Sequence, residues 1–443
     1  MSQGHRPIPP PLPASRRPGP PPLPVPGKAG QSAASRRTMP PPPPPAQNKA
    51  INPPPQVKEV KVPPYSELTV DNLVKAFTLA HLKQAVSLLQ GGKEGQFFSR
   101  PFTRSNVPGA LIIHNGKRPM LVIGDLHGNE ARLELILKEF GPQIAAEKLE
   151  IGFLGDVIHP ENSSRMQSMA SSLRVLKALI TFSSLYPGQV HLVLGDHDIA
   201  FTRPEILKAV VDFVFARPGG SVPDLVNHIL QNVNIEESDR AMFVGKEREN
   251  SDGEKEMVQQ GLVFLRELCE ELKASGKNKE EVISMVSEYQ AFFDNCPLAM
   301  IIQGEAEATC LMHSVPKKKG EMVISAEGKL ETKGAGVTRE DLIEARGNGL
   351  MHQILMNKKS KGHFDSEDVI ANIRALGITA DPNKTYMITA HEKLDKRWAL
   401  LTGPNHCLIH GNVESHFGAV IIENGYPRMI DLRVIATPAQ AAA

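Results

Sequence analysis

The feature that most constrains this chain is a recurring unit, a short apolar run that stops in a Gly-Asp loop. It occurs at Leu121-Val-Ile-Gly-Asp-Leu-His-Gly-Asn129, at Ile151-Gly-Phe-Leu-Gly-Asp156 and at Val190-His-Leu-Val-Leu-Gly-Asp-His-Asp198. Apolar runs of this length bounded by glycine read as strands buried on both faces. Residues 130–140 and 166–186, between them, carry helical apolar spacing. This alternation predicts an α/β fold with a parallel sheet and polar groups at the strand carboxyl ends, where such sheets place ligands. Asp125 and His127 stand two apart just past a strand end, so a carboxylate and an imidazole can reach one metal ion. Flanking glycines would let the backbone approach a ligand closely. For any single such pair, a plain turn is the alternative.

The pattern continues. Residues 298–302 and 308–312 read as strands, the second ending in His313, and 385–389 as another, ending in Ala390-His391. Residues 398–435 read as antiparallel strands with a hairpin turn at Asn424-Gly425. A helical lead-in begins at Tyr65, with Ser66 or Thr69 as its cap, and ends at Gly91-Gly92. Residues 201–285 are helical and charged, read as an insertion of structural or substrate-selecting character; no catalytic constellation is visible in them. The expected domains are an arm over 1–64, a lead-in over 65–110, and a catalytic domain over 111–437 that contains the insertion.

Composition matters for the arm. Residues 1–64 hold 22 of the 37 prolines, including Pro40–Pro45, and cannot bury enough apolar area to fold. The arm reads as disordered with polyproline II character. Pro-Pro-Leu-Pro at 10–13 and 21–24 resembles a WW-domain ligand, and the hexaproline resembles a ligand of SH3-like or profilin-like grooves. A solvated tail without a partner is the alternative. The arm also holds nine Lys or Arg against one acid, which leaves 41 basic against 48 acidic residues in the remainder. That balance argues against nucleic acid as a partner of the folded part. Four scattered cysteines without a Cys-x-x-Cys pair suit a reducing compartment. The sequence shows no apolar run of membrane-spanning length and no signal-peptide core, so the expectation is a cytoplasmic protein without stable membrane insertion. Cys310 reads as packing rather than as a nucleophile.

Collected, the strand-end groups are Asp125, His127, Asp156, Asp196, His197, His313 and His391. Burying that much unpaired charge costs stability unless an ion compensates it. A two-metal site accounts for the number, with one aspartate shared.

Taken together, these motifs resemble the phosphoprotein phosphatase superfamily of metallophosphoesterases. The resemblance extends to Phe293-Asp-Asn-Cys-Pro297, Cys310-Leu-Met-His313, Thr389-Ala-His391-Glu, Gly403-Pro-Asn-His-Cys407 and Phe417-Gly-Ala-Val420, and covers most of 111–435. It implies a β-sandwich flanked by helices, with two divalent ions of the Mn, Fe or Zn type. By the same resemblance, Asp125 and His127 hold the first ion, Asp156 bridges, and Asp196, His313 and His391 hold the second. His197 then protonates the leaving oxygen.

Departures accompany the likeness. His159 and Pro160 stand where the family has Asp-Arg, Asp196 where it has Asn, and His406 where it has Tyr. The missing Asp would orient His197 and the missing Arg would bind phosphate. His159, Arg165, Lys361 and His406 are the candidate substitutes for orientation and substrate binding. The expected function is hydrolysis of Ser/Thr or Tyr phosphomonoesters on a phosphoprotein. A dinucleoside-polyphosphate or small-molecule phosphohydrolase, and a catalytically retired scaffold, remain as alternatives. In architecture the chain resembles bacterial effector phosphatases secreted into host cells.

Overall fold

The strands beginning at Met120 and Glu150 are buried along their whole length because helices cover one face and a second sheet covers the other. The computed structural model describes residues 68–91, 98–159, 169–199, 204–235, 251–317, 319–324, 330–347, 350–392, 399–403, 405–409 and 416–433. The proline-rich arm with its candidate docking motifs, and Arg165, lie outside the described residues. In chain order the elements are α1 (Val70–Ala76), α2 (Leu79–Leu89), β1 (Phe98–Ser99), β2 (Leu111–His114), β3 (Met120–Ile123), α3 (Glu130–Ala145), β4 (Glu150–Phe153), α4 (Ala170–Leu185) and β5 (Val190–Leu192). Four helices follow, α5 (Pro204–Ala216), α6 (Val222–Asn232), α7 (Ser251–Ala274) and α8 (Lys279–Asn295). The remainder is β6 (Ala299–Gln303), β7 (Ala308–Met312), β8 (Lys319–Ile324), β9 (Leu330–Ala335), α9 (Arg339–Ile343), α10 (Leu350–Met356), α11 (Ser366–Leu376), β10 (Thr385–Thr389), β11 (Ala399–Gly403), β12 (His406–Ile409), β13 (His416–Glu423) and β14 (Tyr426–Arg433).

Two sheets stack face to face. One runs β14-β13-β3-β4-β5, with β3, β4 and β5 parallel and the β13–β14 hairpin antiparallel. The other runs β1-β2-β6-β7-β10-β12-β11 and is mixed. Met120 and Val122 of β3 meet Met300, Ile302, Leu311 and Ile388 of the opposite sheet. Leu121 and Ile123 point the other way, into the core shared with the helices. This alternation inside an unbroken apolar run is the two-residue period of a strand buried on both faces. The sandwich therefore has the expected α/β, helix-flanked class.

Several local expectations meet their physical limits. The lead-in forms two helices, since Thr78 leaves the first and caps the second in a reciprocal bond with His81. Helix α3 continues past Gly141-Pro142 because Ile144 is buried on its apolar face. Asn424 and Gly425 both take positive φ, 51° and 83°, as a tight hairpin turn requires. β12 and the β8–β9 hairpin carry no clear alternation and escape sequence reading. The helical insertion supplies α5 to α8, and α5 packs on α7 and α8.

Candidate metal centre

Five strand ends from both sheets converge on one point. The loop after β3 brings Asp125 and His127, the loop after β4 brings Asp156, and the loop after β5 brings Asp196 and His197. β7 and β10 of the other sheet bring His313 and His391. The loops are tied directly: Leu126 N and His127 N both donate to Asp156 O, at 3.0 and 2.7 Å, and Gly128 N donates to Val157 O at 2.9 Å. A Cβ on Gly155 would lie 2.4 Å from Gly195 N, and one on Gly195 would lie 2.2 Å from Asp156 Oδ1. Glycine at both positions is what lets Asp156 and Asp196 meet. Gly128 serves differently from the expectation, since its open side is filled by Ser172 of α4 and faces no ligand.

Backbone strain gathers here. Seven described residues other than glycine have positive φ, and His127, Asp156, His159 and His391 are four of them. Each such conformation costs roughly 1 kcal/mol or more and persists only where surrounding structure enforces it. Asp198 provides some of that enforcement. Its Oδ1 accepts from Val157 N at 3.1 Å and Ile158 N at 3.4 Å, and its Oδ2 accepts from Gly195 N at 3.0 Å.

The donor atoms form two overlapping groups, Asp156, Asp196, His313 and His391, and His127, Asp156 and His197. Asp156 belongs to both. In the first group His313 Nε2 lies 3.0 Å from Asp196 Oδ1, 3.5 Å from Asp156 Oδ2 and 2.9 Å from His391 Nδ1. His391 Nδ1 lies 3.0 Å from Asp196 Oδ1. In the second group His127 Nε2 lies 3.8 Å from Asp156 Oδ2, with Asp125 Oδ2 at 3.9 Å.

The tautomers decide whether this set fits a metal. His127 Nδ1 donates to His159 O at 3.0 Å, and His313 Nδ1 donates to Leu154 O at 2.7 Å. Each backbone acceptor takes the Nδ1 proton and leaves the Nε2 lone pair facing the carboxylates, the arrangement of a metal-binding histidine. His391 Nε2 is buried with no hydrogen-bond partner among the described residues. The charges agree. Burial pushes Asp125 up, and pushes Asp156 well above the usual carboxylate range with Asp196 adding to it. Asp196 is held well below that range: burial opposes this, but His391 and His197 outweigh it. Burial alone would lower His313, yet Asp156, Asp196 and Asp125 hold it up at about 10. The N and O donors suit first-row divalent ions without choosing among Mn, Fe and Zn.

The remaining candidates lie as follows. His197 opens a short 3-10 turn, its N donating to Asp156 Oδ1 at 2.9 Å and its Nδ1 bonded to Gln260 Oε1 at 3.1 Å. His159 is not that partner. Its ring is fully buried, edge-on to His197 at 5.9 Å and to Phe264 at 5.8 Å, with neither ring nitrogen hydrogen-bonded among the described residues. Burial holds its pKa well below the usual histidine value, so it is a neutral ring. His406 lies inside β12 rather than at an open rim, its Nε2 bonded to Thr389 Oγ1 at 2.9 Å, and burial lowers it to about 3. Lys361 is exposed on the turn Lys359–Lys361, whose Ser360 N donates to Glu392 Oε1 beside His391. On the same turn, the charge of Lys358 acts on His391. Cys310 is fully buried, and burial raises its thiol to about 12, as packing without reactivity requires. Gln260 is the functional candidate that the sequence conceals, because an uncharged residue on a charged helix belongs to no motif.

Residues 118–280 match the calcineurin-like phosphoesterase family. No curated protein matches the chain. Among solved structures, a protein serine/threonine phosphatase from Saccharomyces cerevisiae is similar at 13% identity and a TM-score of 0.41, over 85% of this chain and 92% of that one. A hypothetical protein from Pyrococcus horikoshii OT3 is similar at 9% identity and a TM-score of 0.33, over 73% of this chain and 90% of that one. Among the described residues no helix is long and apolar enough to cross a membrane. The family match spans the loops that carry Asp125, His127, Asp156, Asp196 and His197, so residues 118–280 are similar to a calcineurin-like phosphoesterase domain.

Proposed function

We propose that this chain is a metal-dependent phosphomonoesterase that removes phosphate from Ser, Thr or Tyr side chains of a phosphoprotein. The observation that carries this reading is the sharing of Asp156 by two donor groups at one strand-end cluster. In this reading Asp125, His127 and Asp156 hold one divalent ion, and Asp156, Asp196, His313 and His391 hold the other. A bound pair of such ions polarises phosphate oxygens and supplies hydroxide at neutral pH. The protein's own part is to orient and to move protons. The backbone carbonyls of His159 and Leu154 hold His127 and His313 with Nε2 inward. Lys358, with Lys361 farther out, draws a phosphate dianion toward His391 by long-range attraction. His197 gives its Nε2 proton to the ester oxygen as the bond to phosphorus breaks.

The test is hydrolysis of p-nitrophenyl phosphate by the full chain with Mn²⁺ or after chelation, beside Asp156→Asn. The expected result is metal-dependent turnover that falls by at least about 10³-fold in the variant, several kcal/mol of lost charge stabilisation. A folded wild-type chain that binds Mn²⁺ yet hydrolyses neither this ester nor a phosphopeptide would overturn the reading.

A further inference from the structure

The general acid assigned to His197 needs a group that sets its ring, and the position expected to supply one holds His159, whose ring does not hydrogen-bond His197 or any other described residue. The helical insertion fills that need. We propose that Gln260 of α7 is the positioning residue of His197, so that the insertion is a working part of the site and not an external elaboration. This inference rests on the phosphomonoesterase reading.

The geometry is specific. Gln260 Oε1 lies 3.1 Å from His197 Nδ1, and Gln260 is only 1% exposed. An amide oxygen at that distance accepts the Nδ1 proton and leaves the Nε2 edge for the substrate. The residues that follow at helical spacing hold α7 in register. Phe264 packs on the His159 ring, Glu267 Oε2 accepts from Met169 N at 2.8 Å, and Glu271 pairs with Lys177 of α4. Positions 260, 264, 267 and 271 form one helix face, and that face covers the site. The backbone of His197 is fixed separately, through its N–H to Asp156 Oδ1. Gln260 therefore acts on the ring and not on the backbone of His197, beside the edge-on rings of His127 and His159. As a neutral acceptor it does so without adding a carboxylate beside Asp125, Asp156, Asp196 and Asp198.

In the step concerned, the electron pair of the breaking P–O bond leaves with the ester oxygen, which takes the His197 Nε2 proton. Water supplies the hydroxyl that replaces it on phosphorus, and the remaining proton of that water restores the imidazole. A nitrophenolate leaves without needing a proton, whereas a phenolate needs one. Loss of orientation should therefore show in the second ester and not in the first.

The full chain is compared with Gln260→Leu, Gln260→Glu and His197→Ala, each checked for an unchanged melting temperature. In Gln260→Leu, turnover of phenyl phosphate should fall by about 30-fold, within the range of a general acid's contribution, while p-nitrophenyl phosphate stays within about threefold. Gln260→Glu restores an acceptor and should recover phenyl phosphate turnover. Combining Gln260→Leu with His197→Ala should add nothing to His197→Ala. Independently of turnover, ¹⁵N-histidine NMR should find the His197 Nδ1 protonated in wild type and in Gln260→Glu, and the ring free to change tautomer in Gln260→Leu. Equal losses on both esters, or an Nδ1 signal indifferent to Gln260→Leu, would overturn the proposal. Absence of turnover in the wild type would instead count against the phosphomonoesterase reading, with the NMR result still deciding the role of Gln260.

Discussion

Strand β4 has a buried acid-and-histidine cluster at each end, and the two differ in kind. At its start, Glu150 Oε2 receives His114 Nε2 at 2.7 Å and His191 Nε2 at 3.3 Å, with Arg118 Nη1 3.8 Å from Oε1. Past its end stand Asp156 and its neighbours. Both clusters bring acidic and imidazole donors close enough for a metal ion. The tautomer of His114 and the balance of charge separate them. Gly116 N donates to His114 Nδ1 at 3.1 Å, which forces the proton onto Nε2 and spends it on Glu150. His127 and His313 donate from Nδ1 to backbone carbonyls and keep Nε2 open. The first cluster is one carboxylate satisfied by its neighbours; the second is several carboxylates in mutual repulsion, with no arginine or lysine ion pair to either donor group among the described residues. Residue type and proximity alone do not distinguish the two clusters; the proton direction at His114 and the balance of charge do.

The contrast breaks if metal binds at the wrong end. Mn²⁺ at about one hundred times its dissociation constant should stabilise the folded chain by about 2.7 kcal/mol, read as a rise in melting temperature. Asp156→Asn should abolish that rise and Glu150→Gln should leave it intact. A rise lost in Glu150→Gln would make the buried triad the metal site.

The contrast sharpens with pH. Burial pushes Glu150 up, but the bonds from His114 and His191 outweigh it and hold its carboxyl at about 2. The folded value lies below the unfolded one, so the stabilisation is present above about pH 4.5 and is lost as pH falls toward about 2. Its size is about 3 kcal/mol as an order of magnitude. Denaturant titration of Glu150→Gln should show a deficit of that order at neutral pH, closing through that acidic window. A deficit independent of pH would mean that packing, and not charge, holds the triad.

The smallest effect concerns the rim. Lys358→Ala should raise KM for a phosphate ester about threefold at low salt, with kcat nearly unchanged, and the difference should shrink in 1 M salt. A change in kcat instead would move Lys358 from attraction at a distance to direct contact with the reacting phosphate.

The Asp and His set was legible in the chain because strand-end loops are local. A glycine next to an aspartate after an apolar run states both where the strand stops and what stands there. Asp125, Asp156 and Asp196 follow from that grammar, His313 and His391 from strand ends without a glycine, and the hairpin turn from Asn424-Gly425 itself. His406 does not, since the same residue reads as rim or as core depending on whether 406–409 pairs with β10, which it does. Gln260 is hidden for a related reason. It lies 63 residues from His197 and meets it only after α7 folds back on the 3-10 turn.

Local sequence thus carries the alternating elements, the strand-end ligand types and the turn chemistry, because each depends on neighbours within a few residues. Folding assigns what depends on distant partners. It chooses which His ring nitrogen keeps its proton, turns His159 into a neutral buried ring, and brings Gln260 to His197 from an insertion with no motif. It also separates Glu150 from Asp156, two acids six residues apart, into a satisfied pair of hydrogen bonds and a cluster that calls for a cation. The physical reason is that burial and hydrogen-bond geometry set the state of a titratable group, and both are properties of packed neighbours rather than of chain order.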